Sequence, residues 1–349
     1  MVAFSIFVAH KKINLMGTTR IAINGFGRIG RVFLRALLEQ NKNIDVVAIN
    51  DLTDTKTLAH LFKYDSVHRK FSGTLAHGEN DIEINGKKIL AFKEKDPANL
   101  PWKDLAIDIV IESTGFFLTK EGAGKHLQAG AKRVIISAPA ADADIKTVVL
   151  GCNAEILDSK DQIISNASCT TNCASPMLKV LNDNWGIEYA FVNTVHSYTG
   201  DQRLHDAPHK DLRRARAAAV SIIPTTTGAG KAISKIFPHL EGKIGGTSVR
   251  VPVPDGSLTE ITCEFKKNIT VAELNEAFKK AAAGELKGIL EYSDEPLVSI
   301  DIVGNPHSCI FDSESTHVLG NMVKIIGWYD NEFGYSNRLV DLVEKISAN

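Results

Sequence analysis

Cys169 closes the run Ile-Ile-Ser-Asn-Ala-Ser-Cys, and the next cysteine, Cys173, follows within Thr-Thr-Asn-Cys. An apolar pair passing into small polar residues reads as a buried strand opening into a turn. Thr-Thr-Asn-Cys-Ala-Ser-Pro-Met-Leu-Lys-Val-Leu reads as the helix after it, which places Cys169 at a strand-to-helix junction. A thiol there meets the unpaired N–H groups and positive end of the helix, which favour the thiolate. An ordinary thiol, of pKa ~8.5, is only a few per cent ionised near neutrality. Cysteine is also a common core residue, so position 169 alone is either small filler or a nucleophile. Cys173, one helical turn on, reads as structural.

A nucleophilic thiol needs a base, and His196 offers one within the long strand pattern Tyr189–Thr199. Gly25-Phe26-Gly27-Arg28-Ile29-Gly30 supplies a different chemistry. Arg20–Asn24 reads as a strand before it, and Ile29, Val32, Phe33, Ala36 and Leu37 fall at helical spacing after it. That context suits a dinucleotide, whose pyrophosphate sits on the helix N-terminus. The next strand, Ile44–Asn50, ends in Asp51, a carboxylate placed to accept ribose hydroxyls and repel a 2′-phosphate, which favours NAD over NADP. Further along, Arg250 sits among strand valines, where a buried cation needs a partner; a bound phosphate is one. Arg213, Arg214 and Arg216 form either a solvated face or an anion site. Thr226-Thr227-Gly228 opens the helix Ala229–Ile236, another terminus suited to an anion.

The elements that must position these residues alternate as strand and helix through the first half. A helix is expected from Thr57 to Lys63, a hairpin around Asn85-Gly86, a buried strand from Leu105 to Glu112, a helix from Lys120 to Ala129 and a strand from Arg133 to Ser137. This order implies a doubly wound parallel sheet, binding its ligand at the strands' C-terminal ends. Ser113, Thr114 and Ser137 stand at such ends, as ligand contacts or as ordinary turn residues. After Cys169 the pattern becomes α+β on a largely antiparallel sheet. Thr247–Pro254 reads as antiparallel, Val298–Gly304 and Met322–Asp330 as strands, and Thr270–Leu286 and Arg338–Ile346 as helices. Gly200–Arg216 is long, polar and aperiodic, as functional or interacting loops are.

With 349 residues, 44% hydrophobic and 23% charged, the chain has the size of two globular domains. A net charge of −1 provides no general attraction to nucleic acid or to an anionic membrane, and neither partner is expected. The five cysteines are scattered, without metal-ligand spacing, so no zinc site is expected and a reducing compartment, the cytoplasm, is. Residues 1–16 form an extension expected to be disordered. Their apolar stretch is too short to span a bilayer, and Met16 is an alternative start.

Taken together, these residues resemble the phosphorylating glyceraldehyde-3-phosphate dehydrogenases. The resemblance runs from about Thr19 to Ile346. It rests on Asn-Gly-Phe-Gly-Arg-Ile-Gly (24–30), Ala-Ile-Asn-Asp (48–51), Ser-Asn-Ala-Ser-Cys-Thr-Thr-Asn-Cys (165–173) and His-Ser-Tyr-Thr (196–199). Arg-Arg-Ala-Arg (213–216), Thr-Thr-Gly (226–228) and Trp-Tyr-Asp-Asn-Glu-Phe-Gly-Tyr-Ser (328–336) add to it. It implies an NAD-binding Rossmann domain (17–167), a catalytic domain (168–332), a C-terminal helix (333–349) returning to the first domain, and a homotetramer with the Gly200–Arg216 segment at its interface. By position, Cys169 resembles the nucleophile and His196 its base. Gly25, Gly27, Arg28, Ile29, Asp51, Lys95, Ser137 and Asn331 resemble cofactor contacts. Thr199 and Arg250 resemble the substrate-phosphate site. Ser168, Thr170, Arg213, Thr227 and Gly228 resemble contacts to the aldehyde or to inorganic phosphate, with Arg213 taken over its neighbour Arg214. The implied reaction is NAD-dependent oxidation of glyceraldehyde 3-phosphate with phosphate as acyl acceptor. Erythrose 4-phosphate with water as acceptor, or a binding role without catalysis, are the competing readings.

Overall fold

The structure, a computed structural model, describes residues 17–348, so the expected extension over 1–16 lies outside the described residues. Nine strands form the first sheet. From one edge they run Lys146–Thr147, Ile163–Ser165, Arg133–Ile136, Ile109–Glu112, Thr19–Asn24, Ile44–Asn50, Lys87–Phe92, Asp81–Ile84 and Leu75–His77. The first seven are mutually parallel, and the last two are added by antiparallel pairings. Strand order reverses at Thr19–Asn24, the place where doubly wound sheets open a crevice for their ligand.

The chain leaves that strand through Gly25, whose φ of +91° only glycine adopts freely. A Cβ there would come within 2.7 Å of the Thr114 nitrogen, and one at Gly30 would strike the Gly25 carbonyl. These two glycines therefore bring the helix Arg28–Gln40 close onto the sheet. The closing helix begins at Phe333, earlier than its periodicity indicates, and ends at Ser347. Leu339, Val340, Leu342 and Val343 share a core with Ile21, Ile23, Phe33 and Ile111, so the C-terminal helix packs into the first domain.

The second sheet has seven strands, in the order Ile223–Thr225, Ile244–Val251, Ile187–Ser197, Ser257–Phe265, Met322–Tyr329, Cys309–Leu319 and Leu290–Ser293. Against its face lies the long helix Cys169–Trp185, burying Met177, Leu178 and Leu181 with Val192, Ile261, Phe311 and Ile325. Cys169 packs against the cores of both domains, which places it on their seam.

Three expected elements are corrected. The Ile244–Val251 strand pairs parallel with Ile187–Ser197 and antiparallel only with the short Ile223–Thr225. Val298–Gly304 is no strand: Ser299–Ile302 is a short 3-10 turn, because the Asp301 carboxylate accepts the Val298 N–H at 2.9 Å and folds the segment back. Leu105–Ile107 is a tight turn, held by the Ala106 N–H on the Lys103 carbonyl and the Ile107 N–H on the Trp102 carbonyl (both 3.0 Å) despite the left-handed φ of 49° at Ala106, and that strand begins only at Ile109.

Candidate active site

Ser168 caps the Cys169–Trp185 helix, its Oγ accepting the Thr171 N–H at 3.1 Å, so Cys169 is the first helical residue. Just before it, Ala167 takes φ 57°, a conformation costly for a residue with a Cβ; the Tyr335 hydroxyl holds it by donating to the Ala167 carbonyl at 3.0 Å. The cysteine that follows this junction stands at the seam between the two domains. There Cys169 Sγ lies 3.4 Å from His196 Nε2. His196 Nδ1 meets the Ser197 carbonyl at 2.7 Å. A carbonyl only accepts, so Nδ1 carries a proton and Nε2 faces the sulfur.

Burial pushes the Cys169 thiol up to about 11, while Arg250 and the Thr170 N–H pull it down. Burial likewise takes His196 down to about 4, and Arg250 adds to the fall. The helix terminus on which the sequence reading relies is therefore present but outweighed by burial. What burial penalises is a lone charge. Moving one proton from sulfur to Nε2 instead creates two opposite charges 3.4 Å apart, without changing the net charge of the pocket and with helix N–H groups facing the anion.

His196 and Arg250 are register partners on adjacent parallel strands. Arg250 Nη1 donates to Thr199 Oγ1 at 2.6 Å and reaches the Gln202 Oε1 and the Ser197 carbonyl at 3.3 Å; its Nε is buried without a partner. Asp201 lies 3.8 Å from this guanidinium and accepts from Arg214 Nη1 at 2.6 Å. Burial alone would raise the Asp201 carboxyl, yet the Thr199 hydroxyl, Arg250 and Arg214 together hold it below the usual range. A carboxylate between two arginines marks a place where an anion is stable.

Arg214, and not the expected Arg213, joins this group. Its Nε donates to Thr225 Oγ1 at 3.0 Å, whereas the Arg213 side chain is exposed. The two neighbouring arginines differ in exposure on an irregular segment, and no period in the sequence distinguishes them. Thr227 Oγ1 accepts the Ala229 N–H at 3.1 Å, with Gly228 next to it at the start of that helix. Thr170 turns its hydroxyl to the buried Tyr329 hydroxyl at 3.0 Å, and Tyr329 meets the His196 ring edge-on. Sequence alone gives Asp201, Gln202 and Tyr329 no role, and it names Arg214 only within the arginine cluster; Asp201 and Gln202 lie close to Thr199 in a loop with no regular spacing.

A cleft of about 520 Å³ opens at the switch point of the first sheet and is lined by Gly25, Gly27, Asp51 and Lys95, together with Thr114 and Phe116. Asp51 accepts the Phe26 N–H and the Thr53 N–H at 2.9 Å, which fixes its carboxylate at the rim. A Cβ at Gly27 would meet nothing within 4 Å, so the backbone there lies open to a phosphate at the helix N-terminus. These residues fit a dinucleotide. Arg28 spends its guanidinium on Glu332 (2.8 Å) and Asp65 (2.6 Å), and Ile29 packs into the domain core. Ser137 ends the Arg133–Ile136 strand, half-buried, and Asn331 is buried beside Ser197.

Residues 19–120 match the family description "Glyceraldehyde 3-phosphate dehydrogenase, NAD binding domain", and residues 168–331 match "Glyceraldehyde 3-phosphate dehydrogenase, C-terminal domain". The chain belongs to the glyceraldehyde 3-phosphate dehydrogenase family. It is 58% identical over 327 residues to glyceraldehyde-3-phosphate dehydrogenase 2 of Streptomyces avermitilis, covering 93% of this chain and 97% of the relative. It is 56% identical over 332 residues to glyceraldehyde-3-phosphate dehydrogenase 1 of Bacillus cereus, covering 95% and 99%. The enzyme of Geobacillus stearothermophilus is 55% identical over 331 residues, covering 94% and 98%. As a member of this NAD-dependent oxidoreductase family the chain has the expected pairing of a Rossmann sheet with a second mixed, largely antiparallel sheet. No helix among the described residues is long and apolar enough to cross a membrane.

Proposed function

We propose that this chain oxidises glyceraldehyde 3-phosphate to 1,3-bisphosphoglycerate with NAD and inorganic phosphate. The observation that carries the proposal is Cys169 Sγ at 3.4 Å from His196 Nε2, with Arg250 registered beside His196.

Cys169 acts as the thiolate, its proton held on His196. Sulfur adds to the aldehyde carbon, and the imidazolium returns the proton to the new alkoxide, giving a hemithioacetal. His196, now neutral, takes that hydroxyl proton again as the carbon is oxidised to the thioester. NAD, when bound in the glycine-rich cleft, supplies the oxidant by accepting the hydride. The Cys169 backbone N–H, free at the start of its helix, stabilises the oxygen anion, an effect worth about 3 kcal/mol. Inorganic phosphate then displaces the thiolate.

Arg250, with Thr199, binds the substrate's own phosphate, and Arg214, Thr227, Gly228 and Ser168 serve the second anion; Asp201 holds the two arginines in place until phosphate arrives. Asp51 and Lys95 hold the adenosine end of the cofactor, at the rim of their shared cleft. The chain works in the cytoplasm as a homotetramer. Leu204, Leu212, Val220 and Ile222 support assembly, being between 71% and 81% exposed on the irregular segment and its continuation. Light scattering on the purified protein reports the assembly.

The test is NAD reduction with glyceraldehyde 3-phosphate, run with and without inorganic phosphate and repeated with erythrose 4-phosphate. Phosphate-dependent turnover of the three-carbon substrate is expected. Faster, phosphate-independent turnover of the four-carbon aldehyde would overturn it.

A further inference from the structure

Asn331 stands on the catalytic side of the seam, and its amide is held by two buried hydroxyls. Ser197 Oγ lies 2.8 Å and Ser257 Oγ 2.6 Å from Asn331 Oδ1. Ser257 Oγ also accepts the Ser197 N–H at 3.0 Å. All three side chains are 5% exposed or less. An asparagine amide has two ends of similar shape, and this cage distinguishes them. With Oδ1 toward the serines, both hydroxyl protons find an acceptor. With the amide turned over, Nδ2 would donate to the same hydroxyls; these lie 3.3 Å apart, so one of their two protons could turn to the other oxygen, and the second would be buried without a partner, at the cost of an unmade hydrogen bond. The cage therefore fixes Oδ1 inward and leaves both Nδ2 protons for a ligand.

We propose that Ser197 and Ser257 are positioning residues that fix the Asn331 amide as a hydrogen-bond donor to a carboxamide carbonyl, the group borne by the nicotinamide ring. This rests on reading Asn331 as a cofactor contact. Ser197 has a second duty that makes the arrangement economical: its carbonyl takes the His196 Nδ1 proton at 2.7 Å. One residue thus sets both the tautomer of the base and the orientation of the cofactor's anchor. The two stay in register because they are referred to the same stretch of strand.

The experiment measures NAD binding to the full-length protein by calorimetry, alongside KM for NAD and kcat, in Ser257→Ala, Asn331→Ala and the double variant. Ser257→Ala should weaken NAD binding about five-fold or more, raising KM for NAD by a similar factor and kcat much less. In the Asn331→Ala background, adding Ser257→Ala should change NAD affinity by less than two-fold, since the serine acts only through the amide. A loss of equal size in both backgrounds would make Ser257 a general structural residue and overturn the proposal, as would unchanged NAD affinity in Ser257→Ala. If Asn331→Ala alone leaves NAD affinity unchanged, the reading of Asn331 is what fails, and the proposal falls with it.

Discussion

His196 and Arg250 are register partners on adjacent parallel strands, so the proposed base and the proposed phosphate-binding cation are spaced by one strand separation of a sheet. A parallel ladder holds that spacing more firmly than any loop. It also fixes a direction for the proposed site: a substrate phosphate on Arg250 would present the rest of the molecule toward His196 and the sulfur 3.4 Å from it. Arg250 adds positive potential to both groups, favouring the thiolate and disfavouring the imidazolium.

The anion site can be divided by mutation. Arg250→Ala and Arg214→Ala should each lower kcat/KM by about 100-fold or more, the scale of a lost charge-assisted contact. Arg213→Ala, at an exposed side chain, should stay within about two-fold in the isolated enzyme. Steady-state kinetics over both glyceraldehyde 3-phosphate and phosphate will tell them apart, and a loss confined to Arg213→Ala would restore the sequence assignment.

Cys169→Ser should abolish NADH formation while calorimetry still detects NAD binding, because the cleft at Gly25, Gly27 and Asp51 lies in the other domain. Measurable turnover by the serine variant would remove the covalent route.

Asp51→Asn keeps an oxygen for the Phe26 N–H but removes the charge at the cleft rim. Use of NADP relative to NAD should rise about ten-fold or more as repulsion of the 2′-phosphate disappears. An unchanged ratio would assign nucleotide choice to another residue.

Asp255 predicts a pH effect on stability. Its carboxylate is buried with neither oxygen hydrogen-bonded, 3.7 Å from His68 Nε2. Burial, then Asp330 and Glu332, push it up to about 9. A carboxyl raised on folding binds its proton more tightly in the folded chain, so it costs nothing below pH ~4 and destabilises increasingly as pH rises toward about 9. Asp255→Asn should therefore raise stability at pH 8 by about 1–3 kcal/mol and leave it nearly unchanged at pH 4. Thermal denaturation at the two pH values checks this, and equal shifts at both would contradict it.

Much of this was legible in the residues. Gly25-Phe26-Gly27 between a strand and an amphipathic helix marked the switch point, and the polar run before Cys169 marked the strand-to-helix junction. Ser168 appears in that run, but its capping of the helix needs coordinates. Less legible were contacts between distant segments. Arg250 reads as a lone cation among valines until the parallel pairing places it beside His196. Val298–Ile302 alternates like a strand, and only the Asp301 side chain turns it. The Cys309–Leu319 strand escaped notice because its Asp-Ser-Glu-Ser stretch breaks alternation, where the pairing register also slips between Asp312 and His317. The charge state of Cys169 was the hardest, since a helix terminus can be read locally but burial comes from the whole fold.

The most direct measurement is therefore the pH dependence of Cys169 alkylation by iodoacetamide, in the unaltered protein and in His196→Asn. The rate should be nearly flat from about pH 6 to 8 and fall only in acid, because the imidazolium keeps the sulfur ionised; His196→Asn should lower the neutral-pH rate about ten-fold or more. A rate that instead climbs ten-fold per pH unit toward about 11, and is the same in both proteins, would contradict it.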